Sequence, residues 1–96
     1  MRSAYIVSYD IADPKRLKKV YKTMYGFGDH IQLSVFRCEL SPAEKVRMLA
    51  KLNKLIHHDQ DQILIIDLGP ARGRAENCID AIGKPYKPQE RLAVVV

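Results

Sequence analysis

Hydrophobic and polar positions alternate loosely at the start of the chain and predict a first strand over Ser3–Tyr9, rich in Val, Ile and Tyr. Asp13 and Pro14 then mark a helix start, because Asp can cap a helix and Pro suits its first position. One apolar face of this helix follows the spacing i, i+3, i+4 and i+7, at Leu17, Val20, Tyr21 and Met24. Gly26 and Gly28 are expected to end the helix.

The next segment, Asp29–Leu40, has the alternating pattern of a strand. Apolar and polar residues alternate through its central sequence IQLSV. We interpret the segment as one strand, or as two strands joined by a sharp turn near Leu33–Val35.

A second helix is predicted by a capping box. Ser41 can cap the helix, Pro42 occupies its first position, and Glu44 stands three residues after the cap. Its predicted buried side consists of Val46, Leu49, Leu52 and Ile56. We expect the helix to end near His57 and the next strand to span Asp61–Leu68.

The chain from residue 69 to residue 91 is rich in Gly and Pro and predicts a connection. A short helical patch within it is indicated by Ala75, Cys78, Ile79 and Ile82. Residues 92–96, with the sequence LAVVV, predict a terminal strand that lacks an obvious neighbour.

This order of elements is typical of an α+β fold. Two helices of this length on one face of an antiparallel sheet predict a two-layer, ferredoxin-like sandwich, here with an extra C-terminal strand. That topology needs two strands between the helices, so it requires the sharp turn in Asp29–Leu40. At 96 residues, we expect a single domain over 1–96.

The charge is positive and uneven along the chain. The net charge is +5; residues 1–48 hold nine Lys and Arg against five Asp and Glu, and residues 49–96 hold seven against six. This bias indicates a polyanionic partner such as a nucleic acid.

The composition also bears on the location of the protein. There is no apolar run of about 18 residues, so no membrane contact is expected, and no signal peptide is visible. We therefore expect a cytoplasmic location. Cys38 and Cys78 have no metal-ligand spacing and are interpreted as free, buried thiols.

Candidate chemistry lies where the first strand meets the first helix. Asp10 closes the strand, and the helix then presents five cations, Lys15, Arg16, Lys18, Lys19 and Lys22. Arg16 can hold a phosphate through two parallel hydrogen bonds, whereas lysines act as point charges. Recognition of nucleic acid would then involve the backbone rather than base edges. The alternatives are a solvated basic helix and an Asp10 that only caps the turn, with Asp13 as the helix cap.

Other polar residues are weaker candidates. Arg72 and Arg74, in the Gly-rich loop, could add a second nucleic-acid contact or belong to an ordinary surface. His57 and its neighbour His58 lack a third metal ligand. Ser34 has no visible base and is interpreted as shaping the turn.

Several of these motifs together resemble the CRISPR-associated Cas2 family, the small subunit of the spacer-acquisition machinery of an antiviral defence system. The motifs are YDI closing the first strand, the basic first helix, the block GDHIQLSVF, the capped second helix and the apolar strand after Asp61. The likeness covers about residues 3–68 in order.

The resemblance implies a ferredoxin-like homodimer whose terminal strand crosses to the partner's sheet and which supports the CRISPR integrase on double-stranded DNA. It also implies a metal-dependent endonuclease activity on RNA or DNA. Site residues carried over from the family are Asp10 and Tyr9 as catalytic residues, Arg16 and Lys19 as basic residues, and Ser34 and Phe36 as shaping residues. His30 stands where many members carry Arg, which removes a permanent positive charge.

A magnesium role for Asp10 is chemically reasonable. Mg²⁺ commonly takes one or two protein carboxylates and keeps several waters. Two Asp10 side chains related by a two-fold axis would supply such a shared site, and the metal would lower the pKa of a bound water.

Three functions therefore remain open at this point: an architectural DNA-binding partner of the integrase, a Mg²⁺-dependent phosphodiesterase, and a stand-alone ribonuclease toxin of the VapD type. The first two are compatible with each other.

Overall fold

The computed structural model describes residues 1–87 of the chain. The predicted terminal strand at 92–96 lies outside the described residues. The elements follow one another along the chain as strand β1 (Ser3–Asp10), helix α1 (Pro14–Tyr25), strands β2 (Gly28–Gln32) and β3 (Val35–Leu40), helix α2 (Pro42–Leu55), strand β4 (Gln62–Pro70) and a short 3₁₀ helix (Arg74–Asn77).

The four strands form one antiparallel sheet in the order β2-β3-β1-β4, which places β1 at the centre beside β4 and β3. Both helices pack on one face of this sheet, where they enclose a core that includes Val7, Val20, Phe36 and Met48. This arrangement confirms the predicted ferredoxin-like α+β sandwich. Within residues 1–87, no helix combines the length and the apolar character needed to cross a bilayer.

The predicted sharp turn between β2 and β3 is present and consists of only two residues, Leu33 and Ser34. The backbone N–H of Tyr9 donates to the Ser34 carbonyl at 3.0 Å, which ties the turn to the end of β1. The His30 side chain also contacts the turn, because its Nε2 lies 2.8 Å from the Leu33 carbonyl oxygen.

Both predicted helix starts are confirmed. The Asp13 carboxylate accepts from the backbone N–H of Arg16 at 2.9 Å. Ser41 and Glu44 form the reciprocal capping box at the start of α2. The predicted role of Asp13 as the helix cap is therefore confirmed.

The predicted buried face of α2 is partly wrong. Val46 is 65% exposed and Leu49 is also exposed, whereas Met48 and Leu52 are buried. The predicted face with Val46 and the observed face with Met48 both contain Leu52, and both follow a helical spacing. Contact with α1 and the sheet selects the face around Met48, rotated from the predicted one.

Three smaller expectations also need correction. The helical patch after residue 75 is a 3₁₀ helix over Arg74–Asn77, preceded by Gly73 at a φ of 93°. Ile82 is fully exposed rather than buried. Cys38 is buried as expected, but Cys78 is exposed, and neither forms a disulfide within the described part of the chain.

We call the sheet face that the helices leave uncovered the open face. Alternation along β1 sends Tyr9 into the core and places Ile6, Ser8 and Asp10 on the open face. Leu64 and Ile66 of β4 pair with Ser8 and Ile6, respectively, and lie on the same face. The segment 79–87 lies over the β2 and β3 side of this face, where it encloses a cavity of about 640 Å³.

Candidate functional site

Asp10 is the last residue of β1 and is exposed at the edge of the open face. Its backbone pairs with Gln62 of β4. Among residues 1–87, no side chain or backbone N–H forms a hydrogen bond or ion pair with the Asp10 carboxylate. The carboxylate is therefore held on a rigid strand end and is free to bind a ligand.

The residues that follow Asp10 are anchored by Asp61, whose side chain is fully buried. One Asp61 oxygen accepts from the backbone N–H of Ala12 at 2.9 Å, and the other accepts from that of His57 at 2.8 Å. Arg16 binds both oxygens with a forked contact, Nε at 2.8 Å and Nη2 at 3.2 Å. We call this group of hydrogen bonds the Asp61 clamp; it joins the loop after β1, the first turn of α1 and the loop before β4.

The electrostatics of the Asp61 clamp favour the ion pair. The Arg16 guanidinium, helped by the two backbone N–H groups, holds the pKa of the Asp61 carboxyl well below its usual range, against the opposing effect of burial. The same hydrogen bond raises the pKa of Arg16. Both groups are therefore charged at neutral pH.

The Asp61 clamp engages the Arg16 side chain, which was predicted to bind phosphate. Its Nη2 also donates to the Gln60 side chain at 3.1 Å, so two of its three nitrogens are committed within the protein. The predicted phosphate contact of Arg16 would have to compete with a buried carboxylate. By contrast, the lysines Lys15, Lys18 and Lys19 are exposed, and none of them forms an ion pair within the described part of the chain.

Tyr9, His30 and Phe36 lie together in an aromatic cluster at the hairpin end of the core. The Tyr9 and Phe36 rings stack with centroids 6.2 Å apart, and the His30 ring lies 5.0 Å from that of Phe36. Tyr21 contacts the same two rings, His30 and Phe36, edge-on. The cluster forms a wall behind the end of β1.

Burial raises the pKa of the Tyr9 phenol, and the neighbouring Tyr21 adds to this effect. The phenol therefore keeps its proton at neutral pH and is unsuited to act as a general base. The assignment of Tyr9 as catalytic stays a prediction that rests on the resemblance.

The structure separates Arg72 and Arg74 from Asp10. Both arginines are exposed, and Ala71 beside them bonds to the carbonyl of Arg2 at the start of β1. β1 has eight residues, which correspond to a length of about 23 Å. Within one chain, these arginines and Asp10 therefore lie at opposite ends of the sheet.

Residues 1–87 of a single chain do not form a complete metal site. Within this range, no group of three or more His, Cys, Asp or Glu side chains could hold a metal ion. A single exposed carboxylate with no internal partner nevertheless fits Mg²⁺, which retains most of its waters and needs few protein ligands.

Asp61 is a site residue to which the sequence analysis assigned no chemistry. Its local signal is a single acidic residue directly before the apolar strand sequence QILII. Its partner Arg16 is 45 residues away, so no local spacing links the two residues.

Comparison with known proteins identifies the family. Residues 3–75 match the family described as CRISPR associated protein Cas2. The CRISPR-associated endoribonuclease Cas2 of Geobacter sulfurreducens is 44% identical over 96 residues, covering 100% of both chains. The CRISPR-associated endoribonuclease Cas2 1 of Rhodospirillum rubrum is 43% identical over 93 residues, covering 97% of this chain and 90% of that protein.

The solved structures agree with these sequence matches. Streptococcus pyogenes Cas2 superposes with a TM-score of 0.72 at 30% identity, over 83% of this chain and 99% of that one. A hypothetical protein from Thermus thermophilus superposes with a TM-score of 0.77 at 27% identity, over 93% of this chain and 100% of that one. Together with the matched sequence, the shared fold shows that this chain belongs to the CRISPR-associated protein Cas2 family.

Proposed function

We propose that the protein acts in CRISPR adaptation as a homodimer that binds duplex DNA, supports the integrase during spacer acquisition, and cleaves phosphodiester bonds with Mg²⁺. The observation that carries this proposal is the Asp10 carboxylate, which has no partner within residues 1–87 and lies at the edge of an incompletely covered sheet face. Family membership favours this role over that of a stand-alone toxin of the VapD type.

The open face supports a homodimer. On β4, Leu64 and Ile66 are 49% and 48% exposed, and Ile6 of β1 lies beside Ile66. Association of two open faces would remove these apolar side chains from water. Such a dimer has two-fold symmetry, in which each residue of one face meets the equivalent surface of its partner.

A two-fold axis near the end of β1 would bring the two Asp10 carboxylates together. Two such carboxylates repel each other without a cation between them, and they form an adequate protein ligand set for Mg²⁺. When bound, Mg²⁺ supplies Lewis acidity and lowers the pKa of a coordinated water. The relatives from Geobacter and Rhodospirillum carry the name endoribonuclease, which supports a nuclease activity on RNA.

Hydrolysis forms a bond from a water oxygen to phosphorus and breaks the bond from phosphorus to the leaving sugar oxygen. The water loses a proton to solvent, and the leaving oxygen gains one. The protein's own contribution is to hold Asp10 rigidly through β1, the Ser34 contact of Tyr9 and the Asp61 clamp. Rigid positioning lowers the entropic part of the barrier.

The exposed lysines at the start of α1, Lys15, Lys18 and Lys19, are suited to the sugar-phosphate backbone. Arg16 supports them indirectly, since its guanidinium is bound by Asp61. Binding should therefore be insensitive to base sequence and should weaken with salt.

The decisive experiment measures cleavage of RNA and DNA with Mg²⁺ by wild type and by Asp10→Asn, which keeps the shape of the side chain and removes its charge. We expect Asp10→Asn to lose at least about a hundredfold in rate, because the metal ligand is lost. Asp59→Asn is the matched control: Asp59 is an exposed acid outside the site, and its variant should cleave like wild type.

Equal cleavage by Asp10→Asn and wild type would attribute the activity to a contaminant and refute the nuclease proposal. Spacer integration is measured with the same variants. Integration that persists in Asp10→Asn would show that DNA binding and integrase support do not depend on the metal site.

A further inference from the structure

The positive charge of the protein is concentrated in the two helices rather than in one half of the sequence. α1 and α2 together hold nine Lys and Arg and one acidic residue, Glu44, a net charge of +8. The rest of the chain holds seven Lys and Arg against ten Asp and Glu, a net charge of −3. The basic surface therefore includes α2, which the sequence analysis left out.

The two helices meet at a basic cleft of about 450 Å³ near the start of β1. We call this feature the basic cleft. Four cationic side chains line it, two from α2, one from the end of α1 and one from the amino terminus: Arg47, Lys51, Lys22 and Arg2. The cleft also contains Leu40, which pairs with Ser3. It lies at the end of the sheet opposite to Asp10.

The acidic residue that lines the cleft, Glu44, is already engaged. It binds Arg2 at 2.8 Å and accepts from the backbone N–H of Ser41 at 2.9 Å. Among residues 1–87, Lys22 and Arg47 form no ion pair. Lys51 stands over the Phe27 ring at 5.5 Å, a contact that leaves its N–H groups available for hydrogen bonds.

The basic cleft is continuous with the lysines already assigned to nucleic acid. α1 has 12 residues and is therefore about 18 Å long, with Lys15 in its first turn and Lys22 in its last. This length spans about five base-pair steps of a duplex whose axis runs along α1, at roughly 3.4 Å of axis per step. Cations at the two ends of α1 can thus contact phosphates of the same duplex.

We propose that the basic cleft is a second contact for the sugar-phosphate backbone, so that bound nucleic acid extends along α1 and onto Arg47 and Lys51 of α2. The charge of the basic cleft selects an anionic partner. Its lining includes cations that have no ion-pair partner within residues 1–87, and its acid, Glu44, is already paired with Arg2. The inference rests on the proposed nucleic-acid binding and extends its contact surface to α2.

The test compares binding of a DNA duplex of about 30 base pairs by wild type and by the triple variant Lys22→Gln, Arg47→Gln, Lys51→Gln, across a range of salt concentrations. Each lost phosphate contact should reduce the slope of log affinity against log salt by about 0.9. We therefore expect the slope to fall by roughly 2 to 3, with at least about a tenfold loss of affinity at low salt.

The matched control retains the charges at the same positions: Lys22→Arg, Arg47→Lys, Lys51→Arg. This variant should keep the slope of the wild type. The single variants Lys22→Gln and Lys51→Gln, each expected to lower the slope by about one, replace the triple variant if it does not fold.

The possible results separate this inference from the proposed function. No DNA binding by wild type would refute the proposed function. Normal binding by wild type with an unchanged slope in the glutamine variants would refute the basic cleft alone. If the variants bound DNA normally but lost affinity for polyglutamate, the cleft would serve an acidic protein, and the nucleic-acid assignment would be overturned.

Discussion

At the scale of single residues, the Asp61 clamp is the least conspicuous feature of the sequence and a central one in the structure. A buried carboxylate is stable only when its oxygens are satisfied, and here both oxygens bind Arg16 and a backbone N–H. The clamp fixes the loop directly after Asp10. Substitutions that break it should therefore affect stability and the position of Asp10 together.

Asp61→Asn should destabilise the protein in a manner that depends on pH. The folded state lowers the pKa of Asp61, so the unfolded state takes up its proton first as the pH falls. The stabilising effect is therefore complete above the ordinary carboxyl pKa of about 4 and is lost at more acidic pH. Thermal unfolding of wild type and of Asp61→Asn should show a clear difference in midpoint near pH 7, and this difference should shrink below about pH 4.

A difference in midpoint that did not change between neutral pH and about pH 3 would show that the ionised form of Asp61 does not stabilise the fold. Asp59→Asn serves again as the control, because Asp59 is exposed and its loss should leave the midpoint nearly unchanged.

Arg16 and Asp61 should behave as one unit. We expect Arg16→Gln and Asp61→Asn each to lower the unfolding midpoint and the rate of Mg²⁺-dependent cleavage, and the double variant to lose less than the sum of the two. The salt slope of DNA binding provides the distinguishing measurement. It should stay unchanged in Arg16→Gln, whereas a slope lowered by about one would show that Arg16 contacts a phosphate directly.

At the scale of secondary structure, the β2–β3 hairpin depends on close contact between its strands. Gly28 begins β2 opposite Cys38, and a Cβ atom at Gly28 would meet the Cys38 sulfur and would lie 2.5 Å from the Arg37 carbonyl oxygen. Only glycine therefore allows this separation of the strands. The same strands carry His30 and Phe36, which form the aromatic wall behind Asp10.

Gly28→Ala should lower the free energy of unfolding by roughly 1–3 kcal/mol, because the core has no room for the added methyl group. Gly26→Ala is the matched control: Gly26 has helical backbone angles, and its Cβ would meet nothing closer than 3.4 Å. Denaturant unfolding of the two variants provides the comparison. Equal stability of the two would show that the strands can separate without cost.

At the scale of the whole molecule, the two faces of the sandwich have different characters. The helical layer is strongly basic, and the open face presents exposed apolar residues of β4 next to Asp10. This division suits a dimer that joins through its open faces and leaves the basic helices on the outside. Nucleic acid and the partner subunit would then use different surfaces.

Ile66→Asp together with Leu64→Asp should convert the dimer into a monomer, because a charge in the apolar contact is costly to desolvate. Sedimentation at micromolar concentration measures this change, and Mg²⁺-dependent cleavage should be lost with the dimer. Val46→Asp is the control, since Val46 is exposed on α2 away from the open face. A wild-type monomer at micromolar concentration would contradict the dimer itself.

Sequence patterns alone predict the order of the elements, both helix starts and the need for a tight hairpin, because these features depend on interactions between residues close in the chain. The caps at Asp13 and Ser41 each act over three residues, and a strand that ends in an acidic residue can be recognised locally. Local pattern alone therefore makes Asp10 a candidate site residue.

The packing of helices on the sheet is needed to establish which face of α2 is buried, which partner holds Arg16, and where the remaining cations gather. Helical periodicity allowed both the Val46 and the Met48 faces, and packing against the sheet selected the second. Arg16 and Asp61 are 45 residues apart, and Lys22 and Lys51 approach one cleft from different helices. Such contacts depend on how the helices and strands are arranged in space, and no local pattern in the chain specifies that arrangement.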